Sequence, residues 1–210
     1  MKRKLISMLM ALVMILSLVQ VLPVSAASYT VGYEEDFNNL LNWKLSESTA
    51  ISLKNGAIVT SGSNVPTAYL KGNFAKWDKY VFTTEISRTF KSGTWIRIYL
   101  GGFSLLIKQG SVSFLRDGET ENSLGAFKQE SDKRYKIKVE RDEDTAKVYM
   151  MASDDNRYTE IGTITNLANG SNYGVSSLNI AATFHSFKFE SKTKSPITFD
   201  KAYYDIIIII

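Results

Sequence analysis

From Tyr29 onward the chain alternates apolar and polar residues in short runs, and it never sustains a 3.6-residue apolar period. Two segments are the cleanest. In 79–90, Tyr80, Phe82, Thr84 and Ile86 share one parity, while Val81, Thr83, Glu85 and Ser87 share the other. In 134–141, Tyr135, Ile137 and Val139 alternate with Lys136, Lys138 and Glu140. Successive side chains of a strand point to opposite faces, so each segment reads as a strand with one dry and one wet face, as in antiparallel sheet. The same reading predicts strands near 29–35, 43–47, 50–53, 57–61, 67–71, 94–100, 103–108, 111–116, 124–128, 145–151, 158–163, 173–178 and 182–190. The nearest helical candidate, 37–43, is a turn or two at most.

Turn residues punctuate these runs. Lys54-Asn55-Gly56 carries the Asn-Gly pair that favours a two-residue hairpin. Arg116-Asp117-Gly118-Glu119 is a second turn, and Arg141-Asp142-Glu143-Asp144 reads as a charged, solvated hairpin tip. Asn169-Gly170-Ser171-Asn172 forms a polar loop before the last two strands. Many short strands with frequent turns predict an all-β fold, an antiparallel β-sandwich or barrel. Dense Lys and Glu on the wet face argue against a membrane barrel.

Residues 1–26 have a different pattern. Lys2-Arg3-Lys4 precedes a mostly apolar run from Leu5 to Leu22, then Pro23 and the small residues of Val24-Ser25-Ala26. This order reads as a secretory signal peptide cut after Ala26. An uncleaved anchor is the alternative, since a run of 18 residues lies at the lower edge of a span. The expected organisation is a signal peptide over 1–26, one domain over 27–191, and a linker with an isoleucine-rich tail over 192–210. The five isoleucines Ile206 to Ile210 cannot span a bilayer.

Composition narrows the function. Without the three basic residues of the leader the net charge falls from +4 to +1, against the electrostatic footprint of a nucleic-acid binder. There is no cysteine and one histidine, which excludes disulfide scaffolds, thiolate chemistry and multi-histidine metal sites. A cysteine-free exported domain fits a bacterial source. The expected location is extracellular or cell-surface, as a monomer with no stable membrane span after cleavage.

The order of motifs resembles a known family. Glu35-Asp36-Phe37, Trp43 and the strand–Asn55-Gly56–strand unit that follows are similar to the opening of concanavalin A-like (LamG-like) jelly-roll domains of secreted bacterial carbohydrate-active proteins. The strands around Tyr80–Ile86, Trp95–Leu100, 134–139 and 147–150 look like its middle. Ala182-Thr183-Phe184-His185-Ser186-Phe187 resembles its closing strand. The resemblance implies an antiparallel jelly-roll sandwich and a polysaccharide or cell-wall glycan as partner. It departs from the glucanases of the fold in lacking an acidic run on one strand, and in carrying His185 where the family often has Asp.

The candidate site follows from parity. On 95–100, Ile96, Ile98 and Leu100 form an aliphatic face, which leaves Trp95, Arg97 and Tyr99 opposite. Two aromatic rings around a guanidinium suit a sugar, because rings accept its C–H faces and the fork donates to hydroxyls or a carboxylate. The alternative is that the rings pack beneath a loop and Arg97 pairs with an acid. Lys136, Lys138 and Tyr149 form a basic outward patch suited to an acidic polysaccharide, or simply a solvated face. Glu85 and Glu140 are outward carboxylates, and a glycosidase would need two of them flanking a scissile bond. Glu35 and Asp36 could offer oxygens to a structural calcium. No other cofactor is expected. The expected function is a non-catalytic carbohydrate-binding or envelope-associated domain. The alternatives are a glycoside hydrolase or lyase, and a structural envelope protein.

Overall fold

The structure is a computed structural model that describes residues 30–35, 37–46, 50–61, 65–71, 77–89 and 92–191. The leader, Asp36 and the 192–210 tail lie outside them. Fifteen strands are formed: β1 (Thr30–Glu35), β2 (Trp43–Leu45), β3 (Ile51–Leu53), β4 (Ile58–Thr60), β5 (Thr67–Leu70), β6 (Lys79–Arg88), β7 (Trp95–Leu100), β8 (Phe103–Lys108), β9 (Gly110–Arg116), β10 (Asn122–Phe127), β11 (Arg134–Asp142), β12 (Thr145–Ala152), β13 (Thr159–Ile164), β14 (Tyr173–Leu178) and β15 (Ala182–Ser191). They pair antiparallel in two sheets. The first runs β13-β12-β11-β6-β15-β4-β3, with β1 also on β15, and the second runs β10-β9-β8-β7-β14-β5-β2. We call them the first and second sheets. This is the expected antiparallel sandwich, and residues 37–42 form bends and a turn rather than a helix.

Local chemistry explains the turns. Asn55 and Gly56 both have positive φ, 52° and 67°, as the twist of a two-residue hairpin requires, and Lys54 and Ala57 exchange backbone hydrogen bonds across them. The core lies between the sheets and is rich in aromatic rings. Phe82, Phe187 and Phe189 of the first sheet are fully buried, and Phe189 meets Tyr173 of the second at 5.2 Å between centroids. Such edge-to-face contacts each add about 0.5–1.5 kcal/mol beyond area burial.

Register shifts interrupt four strand pairings, and the one in β15 matters for the core. A bulge between Phe184 and Ser186 lets Phe184, Phe187 and Phe189 all face inward. An inserted residue resets the alternation, so His185 turns out of the core. Arg141 corrects the reading of its hairpin. Asp142, Glu143 and Asp144 are exposed, but Arg141 is only 1% exposed. Its guanidinium donates to the carbonyls of Gly101, Glu143 and Ala168 and to Asn169 Oδ1, at 2.8–3.0 Å. A cation of the first sheet thereby ties together three connections at one end of the sandwich. No helix among the described residues is long and apolar enough to cross a membrane.

Candidate functional site

The six candidate ligand residues do not form one site. Trp95, Arg97 and Tyr99 lie on β7 in the second sheet, whereas Lys136, Lys138 and Tyr149 lie on β11 and β12 in the first. Both sets share the parity opposite the core, so they point out of opposite faces of the sandwich. Strand alternation gives the side of a sheet and says nothing about which sheet a strand joins.

On the second sheet the register builds a surface around β7. One rung aligns Thr67, Ser176, Arg97, Leu106 and Ser113, and the next aligns Tyr69, Gly174, Tyr99 and Ser104. The floor is small. Ser176 is 0% and Ser104 1% exposed although both face away from the core. Larger neighbours lean over them. Arg97 Nε donates to Ser104 Oγ at 2.8 Å, its guanidinium lies 4.7 Å from the centre of the Tyr99 ring, and the Tyr99 hydroxyl stands 3.5 Å from Ser176 Oγ.

Tyr69 is the residue that sequence reasoning missed. It comes from a four-residue strand on the far side of β14, yet its ring centroid is 4.9 Å from that of Tyr99. Alternate strands stand roughly 10 Å apart, so the rings meet only because the residue between them is Gly174. Burial, then its hydrogen bond with Tyr99, pushes the Tyr69 phenol up to about 12, while Arg97 opposes the shift. Trp95 lies four residues from Tyr99, about 13 Å along the strand. It lines a cavity of about 400 Å³ with Thr94, Lys108, Ser111 and Leu178. Trp95, Arg97 and Tyr99 are half-buried, and Arg97 forms no ion pair with a carboxylate among the described residues.

On the opposite face two of the cations, Lys138 and Arg134, have carboxylates within 4 Å. Lys138 donates to Glu140 at 2.8 Å and lies over the rings of Tyr149 and Tyr158, at 4.4 and 5.1 Å. Lys136 lines a cavity of about 230 Å³ with Thr83, Glu85, Tyr158 and Ser186. Glu85 accepts from Ser153 and stands 3.8 Å from Arg134. His185 meets Ser87 Oγ at 2.8 Å, and burial, then Arg134, lowers its pKa. Lys136 pairs with Glu85 in register, while Glu140 pairs with Val81. Their backbone positions are therefore about 13 Å apart along the strands, and the side chains are engaged apart, Glu85 with Ser153 and Glu140 with Lys138. A glycosidase pair needs about 5–9.5 Å.

Glu35 is buried and accepts from the Tyr33 hydroxyl, Trp43 Nε1 at 2.9 Å and the Phe37 amide at 3.1 Å. Three donors on one carboxylate describe an anchor for the start of the domain. Asp36, its expected partner on calcium, lies outside the described residues. Among those residues no three His, Asp or Glu side chains gather where they could hold a metal.

No protein-family model matches the chain, and no curated protein is similar to it in sequence. Solved structures are similar in fold. A xylan beta-1,4-xylosidase from Bacillus halodurans C-125 superposes with a TM-score of 0.62 at 13% identity, over 75% of this chain and 39% of that one. The exoplasmic/lumenal domain of VIP36, in its Ca2+/Man-bound form, gives 0.57 at 12% identity over 76% and 90%. The carbohydrate recognition domain of Emp47p gives 0.52 at 16% identity over 80% and 98%. The chain spans well under half the length of the xylosidase. At these identities the likeness establishes the fold, a two-sheet antiparallel sandwich of the jelly-roll, lectin-like kind.

Proposed function

We propose that the chain is an exported, non-catalytic carbohydrate-binding domain whose ligand lies across the outer face of the second sheet. One arrangement carries the reading: Arg97, Tyr99 and Tyr69 stand half-buried over a floor of Ser104, Gly174 and Ser176, with half-buried Trp95 further along the same strand. The rings supply faces for sugar C–H groups, the hydroxyls and guanidinium supply hydrogen bonds, and the small floor leaves room for a ring to approach. The roughly 13 Å from Trp95 to Tyr99 suits an oligosaccharide better than a single sugar. Two lectin domains share the fold, which agrees with this reading, and the leader pattern supports export to the cell surface or medium. Glu85 and Glu140 sit four residues apart in register and are engaged by different partners, Ser153 and Lys138, which favours binding over hydrolysis.

The test is Trp95→Ala, with affinity for a panel of plant and bacterial polysaccharides and the denaturant midpoint measured on the same protein. Losing a ring from the centre of a binding surface costs about 2 kcal/mol or more of affinity. Because Trp95 is half-buried, stability should fall by less than the roughly 3–5 kcal/mol of a core aromatic deletion. A folded variant with unchanged affinity would remove Trp95, and this face, from the site.

A further inference from the structure

None of the seven strands of the second sheet contains an aspartate or glutamate, whereas they carry Lys44, Arg97, Lys108 and Arg116. Two of these cations are answered from the connection after β9, Lys108 by Glu121 at 2.5 Å and Arg116 by Glu119 at 2.8 Å. Lys44 is exposed at the sheet edge, where water solvates it. Arg97 is different. It sits on the middle strand, half-buried, held by Ser104 through Nε and by the face of Tyr99. Asp117 acts electrostatically on Tyr69 but forms no ion pair with Arg97. On the first sheet Arg141 is met by backbone carbonyls and Asn169, and four other cations are met by carboxylates. Lys79, Arg134, Lys138 and Lys188 each have a carboxylate within 4 Å, at 2.7, 3.8, 2.8 and 3.1 Å.

Taking a cation partly out of water is costly unless an anion or, as at Arg141, a full set of acceptors meets it, and Arg97 has one acceptor, Ser104. Ser104 and Tyr99 fix the guanidinium and occupy Nε, which leaves the two Nη groups to donate side by side. That pair matches the two oxygens of a planar carboxylate. Building on the carbohydrate-binding reading above, we propose that the ligand is an acidic glycan whose sugars carry carboxylates, with Arg97 taking one carboxylate end-on. The Tyr69–Tyr99 pair and Trp95 then stack on the sugars to either side.

The experiment uses the mature secreted protein and calorimetry with oligogalacturonate, the same oligosaccharide with its carboxyls reduced to hydroxymethyl groups, a sulfated galactan oligosaccharide, and neutral xylo- and manno-oligosaccharides. The oligogalacturonate should bind, and carboxyl reduction should weaken it roughly ten- to hundredfold, the worth of a charge-assisted hydrogen bond. Arg97→Gln should lose the same factor for the uronate and nothing for the reduced sugar, and Arg97→Lys should recover part of it. Lys54→Ala, which removes one exposed charge on the β3–β4 turn, should leave affinity unchanged. Arg97→Lys serves if the Gln variant does not fold. Equal affinity for the uronate and its reduced form would overturn the acidic-ligand proposal while leaving carbohydrate binding in place. Tighter binding of the sulfated galactan than of the uronate would overturn the carboxylate assignment. No binding to any member would overturn both readings.

Discussion

The two outer faces of the sandwich share one backbone rule and handle charge in opposite ways. On the first sheet, carboxylates stand among the cations, so Lys79, Arg134, Lys138 and Lys188 each have a counter-ion within 4 Å. On the second sheet the strands hold serine, tyrosine and tryptophan around Arg97, and no strand residue answers its charge. A face that neutralises itself only needs water. A face that gathers rings around a cation held by a serine is prepared for something else to arrive. The lesson is that a basic patch read from sequence is not a binding surface until its acids have been located.

Breaking the second face at its hinge should give the largest effect. A Cβ on Gly174 would fall 2.2 Å from the Ala68 carbonyl oxygen, and backbone cannot give way there cheaply. Gly174→Ala should therefore push β14 from β5, separate Tyr69 from Tyr99 and cost about 3 kcal/mol of stability. Urea midpoints would measure the loss, and a drop in the tyrosine ionisation midpoint from its raised value would report that the pair had opened. An unchanged midpoint in both would mean that the rings are not held by this close approach.

A smaller effect is expected on the other face. Lys138→Ala removes a partly exposed ion pair and two ring contacts, so stability should change by no more than about 1 kcal/mol. Glycan affinity should not change. A tenfold loss of affinity would move the ligand to the first sheet and reverse the comparison.

The smallest effect concerns pH. His185 is half-buried on the first face, and its pKa lies below the ordinary value because burial and Arg134 disfavour the charged ring. The unfolded chain takes up a proton near pH 6.5 while the folded ring does not. Stability should be full above that pH and decline as pH falls from there through the lower folded value. Substituting His185→Gln should flatten that part of the profile. An identical profile in the variant would show that other groups set it.

Much of the fold was legible because alternation is a local property. The strands near 79–90 and 134–141 announce their dry faces residue by residue, and Asn55-Gly56 announces its turn. The site was legible only as far as one strand carries it. Trp95, Arg97 and Tyr99 share a parity that can be read directly, but Tyr69 joins them through strand pairing that no local pattern encodes. Its only signal was Ala68 and Leu70 alternating around it. That Lys136, Lys138 and Tyr149 lie on the opposite face from β7 could not be read, for lack of that same pairing information. Arg141 was read as part of a solvated tip because the three residues after it are acidic, whereas backbone carbonyls and Asn169, brought in by distant connections, satisfy it inside. Pairing partners and carbonyl cages are long-range, and they decided each of these cases.

Tryptophan fluorescence tests the central claim most directly. The chain has three tryptophans, and Trp43 and Trp77 are each 2% exposed, while Trp95 lies half-buried on the second face. Acrylamide should quench the Trp95 component alone, and Trp95→Phe should abolish it. Adding the tightest-binding oligosaccharide of the panel should protect that component in proportion to occupancy. A ligand that saturates the protein and leaves Trp95 as quenchable as before would contradict the assignment of the second face.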